Sequence, residues 1–213
     1  MALILFDLDG TLIDSEAGIA NSIQYALERL GAPSPPREEL RAWIGPPLRV
    51  TFPLALGDDL EAVERAVDYY RERFSTVGWR EHAVYAGIDA VIEALAGRGD
   101  RLAVVTTKPD LYAEKIVRSL PFGTLFERVY AAQPGSRDSE KAAMIARALR
   151  DFSSVAEDAV MIGDRHFDID GARANGVRAI GAGWGFGSHE ELRAAGADAI
   201  AIDPPALRAL LSS

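Results

Sequence analysis

From its second residue the chain runs ALILF, apolar at every position, then stops at Asp7, passes Leu8 and reaches a second acid at Asp9 before Gly10-Thr11. A short run without alternation, closed by an Asp-Gly turn signal, predicts a strand buried on both faces. Beyond it the period lengthens. Ile19, Ile23, Ala26, Leu27 and Leu30 recur at helical spacing over 15–31 and end at Gly31, and Leu60, Val63, Ala66, Val67, Tyr70 and Phe74 do the same over 58–75. Between them PREELRAWIGPPLRVTFPLAL predicts two short helices broken at Gly45-Pro46-Pro47. Residues 14–82 are therefore expected to form a small helical unit.

From residue 83 the texture changes to short β-branched runs, each followed by an amphipathic stretch: RLAVVTT, ERVYAA, AVMIGD, VRAIGAGWG and DAIAI all lead into helical patterns. Strand-helix units in series with brief connections predict a parallel sheet covered by helices. ALILF belongs naturally in the same sheet. The expected fold is thus α/β, a Rossmann-like parallel sheet with helices on both faces. Its core domain spans 1–13 and 83–213, and a small α-helical cap domain, 14–82, is inserted after the first strand. No internal repeat or low-complexity tract interrupts this plan. In such sheets ligands bind beyond the carboxyl ends of the strands, so functional residues should gather there.

Charge narrows the possible partners. The 213 residues carry a formal net charge of −9, which argues against binding a nucleic-acid polymer, since that work needs a basic face. Cysteine is absent, which removes disulfides, thiolate metal sites and cysteine nucleophiles. The N-terminal apolar stretch is short, lacks a basic flank and ends at an acid. It reads as neither signal peptide nor membrane span, and a cytoplasmic protein is the expectation. Nothing in the pattern bears on oligomeric state.

The strand ends carry the candidate chemistry. Asp7 and Asp9 close the first strand, Thr106 and Thr107 follow LAVV, and Asp164 follows AVMIG with Asp168 four residues later. In extended backbone i and i+2 share a face, so Asp7 and Asp9 point the same way and require a cation or a shared proton. Asp164 and Asp168 add carboxylates from the start of a helix. Converging carboxylates suit a hard, oxygen-seeking cation, and Mg2+ fits best because it keeps positions for water and phosphate oxygens. Lys141, opening the helix after RDSE, is the candidate phosphate cation, with Thr106 as a hydroxyl donor. Lys108 is the rival, although a lysine just before Pro109 is as readily turned to solvent. Asp170 competes with Asp168 for the metal. With the phosphoryl charge neutralised, one aspartate can attack phosphorus while the other moves protons.

In order, DxDGT at Asp7 to Thr11, the strand-terminal Thr106, Lys141 at a helix head and GDxxxD at Gly163 to Asp168 resemble the four motifs of the haloacid dehalogenase-like superfamily. The resemblance covers essentially the whole chain. IGPPLR, VYAGI, MIGDRHFDIDGARANG and WGFGSHEEL look most like the phosphoglycolate phosphatase and 5'-nucleotidase-like members, which carry a C1-type helical cap. It implies Asp7 as nucleophile and Asp9 as general acid/base and backbone-carbonyl metal ligand. It also implies Thr106 and Lys141 as phosphate binders, with Asp164 and Asp168 completing the metal site. Thr107 stands where such phosphatases often carry Asn. Arg49 and Arg137 are candidates for substrate contact. The implied activity is a Mg2+-dependent phosphatase acting on a small phosphorylated metabolite, phosphoglycolate or a nucleoside monophosphate. The alternatives are a phosphomutase resembling β-phosphoglucomutase and a non-catalytic binding protein of the same fold. A dehalogenase proper lacks the second acid that Asp9 supplies.

Overall fold

The computed structural model describes residues 1–133 and 140–212. They fall into two compact units, Met1–Asp14 with Val84–Ser213, and Ser15–Ala83.

The smaller unit holds α1 (Glu16–Arg29), α2 (Arg37–Leu40), α3 (Leu48–Thr51), α4 (Pro53–Leu56) and α5 (Leu60–Thr76). α1 and α5 bury the apolar stripes that their spacing predicts: Ile19, Ile23, Ala26 and Leu27 on one, Val63, Ala66, Val67 and Phe74 on the other. Leu60 departs from that pattern. It sits at the first helical position, beyond the packed turns, and is largely exposed. The stretch between the long helices is more broken than two short helices. A 3-10 turn over Arg41–Trp43 follows α2, and Pro53 starts α4 afresh where an interior proline would cost α3 a hydrogen bond.

The larger unit is a six-stranded parallel sheet. Its strands are β1 (Leu3–Phe6), β4 (Arg101–Pro109), β5 (Arg128–Ala132), β6 (Ala159–Gly163), β7 (Arg178–Ala182) and β8 (Ala199–Ala201), in the spatial order β5-β4-β1-β6-β7-β8. Two-residue strands, β2 (Ile13–Asp14) and β3 (Ala83–Val84), lie where the chain leaves and re-enters this unit. The connecting helices are α6 (Ile88–Gly97), α7 (Asp110–Ser119), α8 (Lys141–Phe152), α9 (His166–Arg173), α10 (His189–Ala195) and α11 (Pro204–Leu210). The α/β class and parallel sheet read from the sequence are those observed.

β1 runs down the middle, and all four of its residues are buried, as an unbroken apolar run requires. Alternation assigns its two faces. Leu3 and Leu5 share a core with Met144 and Ile145 of α8 and with Ile169 and Ala172 of α9. Phe6 points the other way and meets Phe126 edge-on at 6.0 Å. Each fully buried side chain of this size contributes roughly 1.5–3 kcal/mol, which fixes the register of β1 against slippage. Crossovers run outward in one direction through β4 and β5 and in the other through β6, β7 and β8. The reversal falls between β1 and β6, the place where a doubly wound sheet opens a crevice.

Candidate active site

The alternation of β1 continues past its end. Asp7 follows Leu3 and Leu5 on the face covered by α8 and α9, so its carboxylate arrives between the heads of those two helices. There Lys141 Nζ lies 2.9 Å from Asp7 Oδ1 and 2.6 Å from Asp168 Oδ1, and it donates a 2.9 Å hydrogen bond to the Val105 carbonyl. An ammonium at the first position of a helix opposes the helix dipole by about 0.3–1 kcal/mol. Two buried carboxylates outweigh that. Gly171 lets α9 approach so closely, since a Cβ there would stand 3.0 Å from Lys141 Cβ.

Asp164 and Asp168 come from the other side of the crevice. Asp164 leaves the end of β6 fully buried, accepting from the Phe186 amide at 2.8 Å and, through Oδ1, from the Thr11 hydroxyl at 3.4 Å. Asp168 Oδ2 accepts from the Arg165 amide at 3.1 Å, capping α9, while Oδ1 faces Lys141. The two oxygens of this one side chain thus have separate partners, the start of α9 and the Lys141 ammonium. Asp170 is exposed and pairs with His166 at 3.1 Å instead. Gly10 is obligatory: its φ is +82°, and a Cβ would fall 2.1 Å from Asp164 Oδ2.

Asp9 is served by a different lysine. Lys108 Nζ donates to both oxygens of Asp9, at 3.0 and 2.8 Å. This corrects the expectation that Lys108 is as readily turned to solvent: it belongs to β4 and is buried. The register of β4 against β5 shifts between Thr106 and Pro109, and such irregularities re-aim side chains near sites. Thr106 is buried with its hydroxyl accepting from the Lys108 amide at 3.2 Å, while Thr107 is exposed. The signal for Lys108 was available in the sequence, since i and i+2 in a strand share a face and Thr106 was already assigned to the site.

Asp7, Asp164 and Asp168 form a set that could hold a metal ion, with ligand oxygens within 4.8 Å of one another. Asp7 Oδ1 and Asp168 Oδ1 are buried without a hydrogen bond; the ammonium is near enough to attract them but not aligned as a donor. Hard, anionic, incompletely satisfied oxygens match an oxygen-seeking cation. The Asp9 carboxylate lies outside this set. Arg49, in the helical unit, forks onto Glu64 at 2.6 and 2.7 Å, and Arg137 lies outside the described residues. Trp184 donates its indole N–H to the Thr11 carbonyl at 3.1 Å.

Burial pushes the Asp7 carboxyl up to about 6, against the pull of Lys141 and with a further push from Asp168. Asp164 is raised well above the ordinary carboxylate range by burial, then by Asp168 and Asp7. Lys141 is raised because Asp168 and Asp7 outweigh its own desolvation. A carboxyl raised on folding stabilises the protein fully below its unfolded value, and that contribution is lost as pH climbs through the folded value. For Asp7 the window runs from 3.8 to about 6, and Asp164 acts in the same direction. Without metal, therefore, Asp164→Asn should melt higher than the parent by a margin that widens as pH rises above the ordinary carboxylate value of 3.8. Thermal unfolding in EDTA checks this, and a margin that stays constant or shrinks with pH contradicts it.

The chain is similar to known proteins over most of its length. The pattern of the haloacid dehalogenase-like hydrolases matches residues 4–182. A 5'-nucleotidase of Pseudomonas aeruginosa is 43% identical over 99% of this chain and 95% of its own length. The tyrosine-protein kinase PtkA of Mycobacterium tuberculosis is 37% identical over 87% of this chain and 63% of its own length. The crystal structure of a predicted phosphatase from Clostridium acetobutylicum superposes with a TM-score of 0.91 at 35% identity, covering 99% of this chain and 98% of that one. The chain belongs to the haloacid dehalogenase-like hydrolases.

Proposed function

We propose that this hydrolase is a Mg2+-dependent phosphomonoesterase that works through an aspartyl-phosphate on Asp7. The observation that carries the reading is the meeting of Asp7, Asp164 and Asp168 within 4.8 Å at the crevice between β1 and β6. Asp7, Asp164 and Asp168, with the Asp9 backbone carbonyl, would hold Mg2+. Bound there, the ion supplies positive charge to the phosphoryl oxygens and favours ionised acids.

The rest is the work of this chain's own residues. Asp7 attacks phosphorus while Lys141 holds its carboxylate in place and offsets the charge of Asp168. Asp9 gives a proton to the departing alkoxide and afterwards takes one from the water that cleaves the acyl phosphate. Thr106 and Thr107 offer hydroxyls, and Lys141 positive charge, to the phosphoryl group. Residues 1–13 and 83–213 act as the catalytic core and 14–82 as its cap domain. Arg49 is assigned no part, because its guanidinium is already forked onto a carboxylate.

Likeness to a 5'-nucleotidase over nearly the full length favours a nucleoside monophosphate over phosphoglycolate as substrate. Likeness to PtkA raises transfer to an acceptor other than water, which an assay of released inorganic phosphate separates. We expect hydrolysis of para-nitrophenyl phosphate with Mg2+, its loss in EDTA and its return when Mg2+ is restored in excess. Within a panel of phosphorylated metabolites, a nucleoside 5'-monophosphate should give the highest kcat/KM. Activity indifferent to EDTA would refute the metal assignment, and no turnover of any ester would refute the phosphatase.

A further inference from the structure

Two acids two residues apart each have a buried lysine, but the two lysines hold them differently. Lys141 touches Asp7 at one oxygen and spreads its charge over Asp168 and a backbone carbonyl. Lys108 takes both oxygens of Asp9, at 3.0 and 2.8 Å. The first arrangement leaves a carboxylate with an oxygen free to attack. The second fixes the plane and rotation of a carboxylate from one point. Lys108 is itself held firmly: its side chain is 5% exposed, its amide is bonded to Thr106 Oγ1, and it lies where the register of β4 shifts, between Thr106 and Pro109.

We propose that Lys108 is a positioning residue for proton transfer to the leaving group, acting through Asp9 and not on phosphate. This role rests on the phosphatase reading given above. When Asp9 carries the proton, one of its oxygens donates to the leaving alkoxide while the other keeps a hydrogen bond from Lys108 Nζ. As the P–O bond breaks, the proton passes to the departing oxygen, Asp9 becomes a carboxylate and Lys108 regains both contacts. The water that later attacks Asp7's acyl phosphate gives its proton back to Asp9. Without Lys108, the Asp9 carboxylate loses the ammonium that holds both of its oxygens and is free to rotate away from the leaving oxygen.

The leaving group provides a test that a merely structural role would not pass. para-Nitrophenolate departs without help, whereas an alkoxide needs a proton in the transition state. kcat/KM reports steps up to that departure, so it isolates the first proton transfer from later hydrolysis of the phosphoenzyme. In Lys108→Met we expect kcat/KM on an alkyl phosphate, either a nucleoside 5'-monophosphate or phosphoglycolate, to fall at least about tenfold further than on para-nitrophenyl phosphate. Lys108→Arg should recover part of that difference. The ratio between esters does not depend on what fraction of the variant is folded. Equal losses on both esters would assign Lys108 to phosphate binding or to structure, and no loss on either would leave it without a role; both overturn the proposal while the phosphatase stands. A parent enzyme that hydrolyses no alkyl phosphate would instead overturn the phosphatase reading, and the role of Lys108 with it.

Discussion

Asp7→Asn is expected to lower kcat by at least ~10³-fold while leaving the protein folded. The substitution keeps shape and volume but replaces an anionic oxygen that can attack phosphorus with an amide that cannot. Folding should survive because the Asp7 carboxyl is already pushed up to about 6 by burial, so its neutral form is no stranger to this environment. Lys141 keeps Asp168 at 2.6 Å and the Val105 carbonyl at 2.9 Å as partners. Steady-state kinetics together with a thermal melt separate the two effects. Loss of activity with an unchanged or raised Tm is the expected pair, and residual turnover within about tenfold of the parent would mean that another residue attacks.

Lys141→Met should produce the largest change in stability. It removes the cation between Asp7 and Asp168 and leaves both, with Asp164 close by, in a buried cluster of like charge. Removing one partner of a buried ion pair costs about 3–5 kcal/mol. In a chain of this length that corresponds to a fall in Tm of ~10 °C. Part of the penalty is relieved by protonation of the acids, so the fall should be steeper at alkaline than at acidic pH. Added Mg2+ should recover part of it, because a divalent ion supplies the missing charge to the same oxygens. Differential scanning fluorimetry in EDTA and in Mg2+ measures both. A fall below about 2 °C in EDTA would show that the acids do not depend on this lysine.

Much of this fold is legible in the sequence. The unbroken run Leu3–Phe6 announces a central strand, and β-branched runs alternating with helical stripes announce the parallel sheet, because both patterns follow directly from which faces must be buried. Polar residues at the strand ends pointed to the crevice for the same reason. What escaped was pairing across the crevice. Spacing assigns Asp7 and Asp9 to one face, but it does not say that each would meet a different lysine, since that depends on a register shift in β4 and on how close Gly171 lets α9 come to α8. Pro109 hides the position of Lys108 in the sequence, because the strand extends through the proline. Lys141 also holds two carboxylates and a carbonyl, a load that only the fold reveals. The broken stretch Arg37–Leu56 was harder still, because helices of a single turn are held by packing more than by their own propensity.

The central claim is covalent attachment of phosphate to Asp7, and the most direct measurement is mass spectrometry of acid-quenched Asp9→Asn protein mixed with substrate and Mg2+. Loss of the proton donor and acceptor at Asp9 should slow hydrolysis of the intermediate, so that it accumulates. The account predicts a phosphorylated peptide containing Asp7, labile to hydroxylamine as an acyl phosphate is, and absent when Asp7 is also replaced by Asn. Phosphate found on any other residue, or undiminished turnover by Asp9→Asn with no phosphoenzyme at all, would contradict it.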